Sequence, residues 1–150
     1  MNHIAAFLLL INFSCNSQSD KRIDIKGNWY NYQNTTSESS YYVETFIDEN
    51  TFYYFNEFSG LMPEMKYKIE KNILYQMSLD GEEKKYTGKI KIIDKNTFSI
   101  IKDGEIIIFK RVVEGLNMED FLFKDKSEDD YWAAFNKRKL IWEKKAKHTD

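Results

Sequence analysis

Residues 97–112 read TFSIIKDGEIIIFKRV, two apolar runs joined by Asp103-Gly104. An Asp-Gly pair favours the type I′ turn, whose twist suits two antiparallel strands. The stretch therefore predicts a β-hairpin with strands at Thr97–Lys102 and Glu105–Val112. Strands joined this tightly are antiparallel neighbours, because a parallel pair needs a crossover of about a dozen residues or more.

The same alternation of apolar runs and turn residues extends back toward the start of the chain. Asp80-Gly81 and Asp94-Lys95-Asn96 are further links of turn-forming composition. The strands predicted before the hairpin are Asn28–Gln33, Tyr41–Asp48, Thr51–Phe58, Met65–Lys71, Ile73–Leu79 and Lys85–Ile93. With the hairpin they form a meander of about eight antiparallel strands.

A meander of this size either stays an open sheet or closes into a barrel. Left open, it exposes two edges that invite pairing with other chains, whereas closure into a barrel removes them. Eight strands enclose either packed side chains or one small ligand. We therefore predict an all-β fold, an antiparallel up-and-down barrel of about eight strands over residues 27–113. A curved half-barrel or a two-sheet sandwich is the alternative.

Residues 114–150 lose the strand pattern and are predicted to form a C-terminal helical segment. Asn117 can cap a short turn, and Ser127 begins a capping-box pattern. The helix that follows is predicted from about Glu128 to Lys145. The residues of its apolar stripe are Tyr131, Ala134, Phe135, Ile141 and Trp142. This stripe is expected to pack against the barrel wall.

The N-terminus carries a short apolar run, Ile4–Ile11, with sequence IAAFLLLI. A helix needs about 20 residues to cross a bilayer, so this run is too short to span one but fits the apolar core of a signal peptide. We predict a signal peptide over residues 1–14, with a buried N-terminal strand or helix as the alternative.

Ser14-Cys15 follows that run and resembles the lipobox of bacterial lipoproteins. The resemblance implies that Cys15 is lipidated and becomes the mature N-terminus. Residues 15–26, which are mostly polar, are then a lipidated cysteine and tether. The protein is expected to be exported and lipid-anchored through Cys15 to a membrane of the bacterial cell envelope.

Gly27-Asn28-Trp29 opens the first predicted strand. It resembles the Gly-x-Trp signature of lipocalins and of lipocalin-like domains in bacterial lipoproteins of the Bacteroidetes type. The resemblance implies a barrel in which a basic residue of the last strand packs across the tryptophan at the closed end. Arg111 is preferred to Lys110 for this role, because a planar guanidinium stacks well on an indole.

Aromatic residues are dense in the first three predicted strands. Adjacent pairs such as Tyr53-Tyr54 point to opposite faces of a strand, so both faces carry rings. They either form core beneath the C-terminal helix or line a ligand cavity. The candidate ligand-binding residues are Tyr42, Glu44, Phe46, Tyr54, Tyr67, Tyr75 and Tyr86.

Glu44 shares a strand face with Tyr42 and Phe46. If that face is internal, Glu44 is a buried acid with a possible role in ligand binding. The alternative places Glu44 on the outside of the barrel beside a lysine. Nothing in its spacing marks it as a general acid.

The chain has few residues for chemistry that depends on histidine or cysteine. The chain has two histidines and one cysteine, at His3, His148 and Cys15, so we expect no catalytic residues, no metal site and no cofactor. The net charge of −2 argues against nucleic acid as a partner. The predicted function is binding of a small hydrophobic or amphipathic ligand. The alternative is a protein–protein interaction module with a filled barrel, either an immunity protein or an accessory subunit that binds an envelope protein.

Overall fold

A computed structural model describes residues 23–33 and 41–146. Its strands are β1 (Gly27–Gln33), β2 (Tyr41–Ile47), β3 (Thr51–Asn56), β4 (Gly60–Leu61), β5 (Met65–Glu70), β6 (Ile73–Met77), β7 (Lys84–Asp94), β8 (Thr97–Lys102) and β9 (Glu105–Arg111). Its helices are α1 (Met118–Phe123) and α2 (Glu128–Ala146). The predicted signal peptide and Cys15 lie outside the described residues.

The strands form a closed antiparallel barrel. Successive strands pair along the chain, and β1 pairs with β2 on one side and with β9 on the other. Two residue pairs, Trp29 with Arg111 and Tyr30 with Lys110, close the sheet. Eight strands make up the barrel and β4 is an additional one, so the predicted all-β barrel with a C-terminal helix is confirmed.

The short strand β4 and the strand β5 are two parts of one interrupted barrel wall. β4 pairs with the end of β3 and β5 with its beginning. Pro63 lies between them and has no N–H to donate to a strand ladder. A break in the pairing at this position therefore costs little free energy. β3 itself ends at Asn56, before the predicted Phe58, because the Asn56 side chain accepts from the N–H groups of Phe58 and Ser59.

The hairpin of β8 and β9 has the predicted turn. Asp103 and Gly104 both have positive φ, at 51° and 87°, as a type I′ turn requires. Lys102 pairs with Glu105 directly across it. The Asp-Gly pair therefore determines the register of the two strands that complete the barrel.

Two apolar cores lie on opposite faces of the sheet. The inner core fills the closed end of the barrel and contains Ile25, Trp29, Ile47, Phe52, Tyr67, Leu74, Ile90, Phe98, Ile100 and Phe109. The outer core lies between the barrel wall and the helices and contains Tyr42, Phe46, Phe55, Met118, Tyr131 and Phe135. β2 contributes to both, since Tyr42–Ile47 are buried without a break.

Ile25 falls within the segment that the sequence analysis assigned to the tether. It is buried in the inner core, and its carbonyl accepts a 2.8 Å hydrogen bond from Trp29 Nε1. The folded unit therefore includes residues that precede the Gly-x-Trp stretch.

The C-terminal segment folds back on the outer face of the barrel. Asn117 caps α1 with a complete capping box, and the Ser127 hydroxyl accepts from the Asp130 N–H at the start of α2. Tyr131 and Phe135 face the barrel, as the predicted stripe requires. Ile141 does not: it is 46% exposed, because the buried stripe runs through Arg138 rather than through a purely apolar row.

Candidate functional site

A cavity of about 630 Å³ opens at the end of the barrel opposite Trp29. Its walls come from the inner faces of β2, β3 and β6 and from the break between β4 and β5. The lining residues are Tyr41, Val43, Tyr54, Asn56, Met62, Pro63, Glu64, Met65, Lys66, Gln76, Met77, Ser78 and Leu79. Most of these side chains are apolar, and three are flexible methionines that adapt to irregular ligand shapes.

The charged groups at this cavity neutralise each other. Lys66 Nζ lies 3.3 Å from a Glu64 carboxylate oxygen and also donates to the Thr51 hydroxyl. A second cavity, of about 430 Å³, lies at the closed end, where four of its nine lining residues are charged. The cavity at the open end is thus better suited to an apolar ligand.

Side chains pack closely around Trp29 at the closed end. The Arg111 guanidinium lies 4.1 Å from the centre of the Trp29 ring, and Phe98 meets that ring edge-on at 4.7 Å. Gly27 accommodates the arrangement, because a Cβ at this position would lie 2.5 Å from Arg111 Nη1. The contact between Arg111 and Trp29 that the sequence resemblance implied is therefore present.

Two polar side chains of the barrel interior have an unsatisfied oxygen. Asn31 and Thr45 are 2% and 1% exposed, and neither Asn31 Oδ1 nor Thr45 Oγ1 has a hydrogen-bond partner among the described residues. Asn31 pairs across the sheet with Val43, and Thr45 pairs with Tyr54. Both partners line the cavity, but Asn31 and Thr45 do not, and their two oxygens are enclosed by protein atoms.

Two of the predicted ligand-binding tyrosines point into the barrel. Tyr54 lines the open-end cavity, and burial raises the pKa of its hydroxyl, which therefore stays protonated. Tyr67 packs edge-on against Phe52 near the closed end, and its hydroxyl donates to the Asp48 carbonyl at 2.7 Å. Of the pair, Tyr54 is the one placed to contact a ligand.

Three predicted residues, Tyr42, Glu44 and Phe46, share one strand face, and that face is the outer one. Phe46 packs with Tyr53 and Phe123. Glu44 is 1% exposed beneath α2, so it is a buried acid outside the barrel and its cationic neighbour is an arginine rather than a lysine. These side chains do not line the cavity.

The Glu44 carboxylate has a full set of partners. Its Oε1 accepts from Tyr42 Oη at 2.8 Å and from Arg138 Nε at 2.6 Å. Its Oε2 accepts from Tyr131 Oη at 2.7 Å and from Arg138 Nη2 at 2.8 Å. Arg138 Nη1 donates to the Leu116 carbonyl at 2.9 Å. The group thus joins β2, the segment before α1, and α2.

The environment of this cluster favours a charged Arg138 and protonated Tyr42 and Tyr131 hydroxyls. Burial opposes the charge of Arg138, but the hydrogen bond and attraction of Glu44 outweigh it and raise the pKa of Arg138. Burial, followed by the nearby Glu44 charge, raises the pKa of both Tyr42 and Tyr131. The two hydroxyls therefore act as donors that hold a carboxylate in place, which is a structural role.

Tyr75 and Tyr86, the remaining two predicted residues, lie on the outer surface. Their ring centres are 6.4 Å apart, and Lys84 Nζ lies 4.7 Å above the Tyr75 ring. Glu70 bridges Lys84 at 2.7 Å and Lys68 at 2.9 Å, and these hydrogen bonds lower its pKa to about 2. This strip is solvent-exposed and separate from the cavity.

Sequence reasoning missed the methionines of the cavity and the two unsatisfied oxygens of the barrel interior. A usable signal existed for Asn31 and Thr45. Each stands at an inward position in the period-two pattern of its strand, in line with Trp29 or with Ile47. A polar residue at such a position is unusual in a barrel core and indicates a function or a buried partner.

Comparison of the chain with models of protein families, with curated proteins and with solved structures gave no match. Within residues 23–33 and 41–146, no cluster of histidine, cysteine and acidic side chains is arranged to hold a metal ion. Neither described helix combines the length and the apolar content needed to cross a bilayer.

Proposed function

We propose that this protein is a lipid-anchored lipoprotein of the bacterial cell envelope whose barrel binds a small hydrophobic or amphipathic ligand. The observation that carries the proposal is the cavity of about 630 Å³ at the open end. Ligand pockets of about 300–1,000 Å³ that are mostly apolar with a few polar groups accommodate small molecules.

The chemistry of the walls supports binding rather than catalysis. Glu64 and Lys66, the charged residues that line the cavity in the described chain, are paired at its rim. Tyr54 keeps its proton. Met62, Met65 and Met77 supply soft apolar contacts. Such a lining holds an apolar molecule but offers it no activated nucleophile.

The interaction-module alternative required a filled barrel. Side chains of the inner core pack around Trp29, but the cavity between β2, β3 and β6 remains open. The ligand proposal is therefore favoured over a partner such as an envelope protein that binds only the outside. A co-purifying protein chain without any bound small molecule would reverse that preference.

Native mass spectrometry of the protein purified from its host tests the proposal. We expect a bound mass that organic extraction removes. Val43→Phe, which places a larger ring in the cavity wall, should reduce the bound fraction at least about fivefold. Ile108→Phe on the exposed outer face is the matched control and should leave it unchanged. Absence of any bound mass in folded wild-type protein would count against ligand binding.

A further inference from the structure

The outer face of β7, β8 and β9 is a surface of isoleucines and lysines. Residues at its outward positions alternate along each strand with Ile90, Ile100 and Phe109, which belong to the inner core. We call this surface the isoleucine–lysine face. Its cross-strand rows are Lys89 with Ile101 and Ile106, Lys91 with Ser99 and Ile108, and Thr97 with Lys110.

This face is both apolar and positively charged. Ile106 is 62% exposed and Ile108 is 37% exposed. Its three lysines, Lys89, Lys91 and Lys110, are exposed as well, and none of them forms an ion pair with a described carboxylate. No acidic residue stands at any of its eight positions. Exposed apolar residues rimmed by polar ones indicate an interaction surface.

The residue types of the face fit a lipid surface better than a protein. Protein interfaces are enriched in aromatic residues, methionine and arginine and are depleted in lysine. The isoleucine–lysine face has three lysines and none of the enriched types. Lysines bind the anionic headgroups of a bilayer, and aliphatic side chains enter the boundary between headgroups and acyl chains. The charge and the apolar content of the face therefore complement an anionic membrane.

The start of the described chain lies next to this face. Ile23 is the first described residue, and it lines one surface depression together with Lys89, Lys91 and Ile101. Cys15, the proposed site of lipidation, precedes Ile23 by eight residues, which span at most about 29 Å when fully extended. A tether this short keeps the effective concentration of the membrane surface at the face high.

We propose that the isoleucine–lysine face lies on the anionic surface of the anchoring membrane. Its lysines bind lipid phosphates, and Ile106 and Ile108 enter the headgroup boundary. The inference rests on the proposed lipid anchor and is independent of ligand binding, since the face shares no residue with the lining of the open-end cavity. The face orients the anchored protein rather than holding it, because a few lysines and isoleucines bind a bilayer weakly without acyl chains.

Fluorescence of a single attached probe tests the inference. Full-length Cys15→Ala protein has no other cysteine, so a polarity-sensitive fluorophore can be attached at Ile106→Cys. Leu140→Cys on α2 is the matched control, because Leu140 is 56% exposed. Both proteins share the same N-terminal segment, so a difference between the two probes reports the orientation of the folded barrel.

The probes are compared on two kinds of vesicle. One contains phosphatidylcholine alone, and the other contains two parts phosphatidylcholine to one part phosphatidylglycerol. We expect the emission of the probe at position 106 to shift to the blue, and nitroxide-labelled lipid to quench it, with the anionic vesicles only. The probe at position 140 should emit as it does in water.

Charge variants test the role of the lysines. Lys89→Gln combined with Lys91→Gln should require at least about tenfold more anionic lipid for the same spectral shift, since each lysine near an anionic surface contributes about fivefold to binding. Added salt should weaken binding in the same direction. Lys137→Gln combined with Lys144→Gln removes the same charge from exposed positions of α2 and should bind like the parent protein. Circular dichroism confirms that each variant is folded.

Several outcomes would overturn the inference. They are entry of the probe at position 140 rather than 106, an equal response to both kinds of vesicle, and unchanged binding by the Lys89 and Lys91 double variant. A probe at position 106 that ignores vesicles but becomes buried when solubilised envelope proteins are added would assign the face to a protein partner. Because the protein in these experiments carries no acyl chain, their failure is distinct from a failure of lipidation, and none of these results bears on the cavity.

Discussion

At the scale of single residues, two threonines show that a buried hydroxyl can either stabilise or destabilise the folded protein. Thr45 is buried inside the barrel with its oxygen unsatisfied. Thr51 is buried on the outer face, where it donates to Asn50 Oδ1 and accepts from Lys66 Nζ. A hydroxyl that folding strips of water without replacement destabilises the protein, whereas one that gains a partner contributes to its stability.

Thr45→Val should therefore stabilise the ligand-free protein, by about 1 kcal/mol, because valine has the same shape and no polar atom. Thr51→Val should destabilise it by about 1 kcal/mol for the converse reason. Urea denaturation with a constant m-value measures both. A loss of stability in Thr45→Val would show that its hydroxyl is satisfied in the folded protein.

Glu70 offers a second test at this scale, one of electrostatics. Lys84 and Lys68 lower its folded pKa from 4.5 to about 2. The interaction of the Glu70 carboxylate with the two lysines thus contributes to stability above pH 4.5, and this contribution disappears as pH falls through about 2. NMR titration of the side-chain carboxyl should find the lowered value, and Lys84→Met should move it back toward 4.5. An unshifted wild-type value would show that solvent screens the pair.

At the scale of elements, α2 is attached to the barrel by a charged cluster inside an apolar seam. Tyr131 and Phe135 supply the apolar contacts. Arg138 supplies a bidentate contact to Glu44, a residue on the far side of the interface. Such a pair contributes little net stability relative to apolar residues, but it is costly to break because one charge remains buried.

Arg138→Met is accordingly expected to destabilise the protein by about 3–5 kcal/mol. Adding Glu44→Gln removes the unpaired charge; its amide oxygen accepts from one tyrosine hydroxyl and its amide N–H donates to the other, so the double variant should recover at least half of that loss. Thermal or urea unfolding measures the cycle. A double variant no more stable than Arg138→Met would show that the loss comes from packing rather than charge.

Local sequence signals predicted the secondary-structure elements well. They predicted less well what each element packs against. The Asp103-Gly104 turn and the Ser127 cap act within a few residues, so the hairpin and the start of α2 were predictable. Ile141 was assigned to the buried stripe because hydrophobicity alone does not reveal that Arg138 is buried by its bond to Glu44. Alternation along β2 correctly grouped Glu44 with Tyr42, yet alternation cannot distinguish the inside of a sheet from its outside.

At the scale of the whole molecule, closure depends on a contact that no local pattern encodes. β1 and β9 meet through two residue pairs that are 82 and 80 positions apart in the chain. Their pairing follows from the accumulated twist and tilt of the intervening strands. The position of the cavity depends on that closure and on the break at Pro63, so sequence reasoning could predict a barrel but not which part of it stays open.

The proposed lipid anchor is tested at the scale of the complete protein. Cys15→Ala should release it from membranes into the soluble fraction, because the proposed acyl chains would no longer be attached. Ser17→Ala, which leaves the cysteine intact, is the control and should remain membrane-bound. Fractionation and immunoblotting of host cells measure the distribution. Unchanged retention of Cys15→Ala would contradict lipidation.

The burial of β2 on both faces also constrains how this chain can diverge. From Tyr42 to Ile47 every side chain is enclosed, alternately by the barrel interior and by the helices. Neutral sequence change needs positions where a substitution alters the stability of the fold little. No residue of β2 from Tyr42 to Ile47 is such a position, because all of them are buried. In a saturation mutagenesis library selected for folding, β2 should be the least permissive strand, while the exposed face of β7 accumulates substitutions freely.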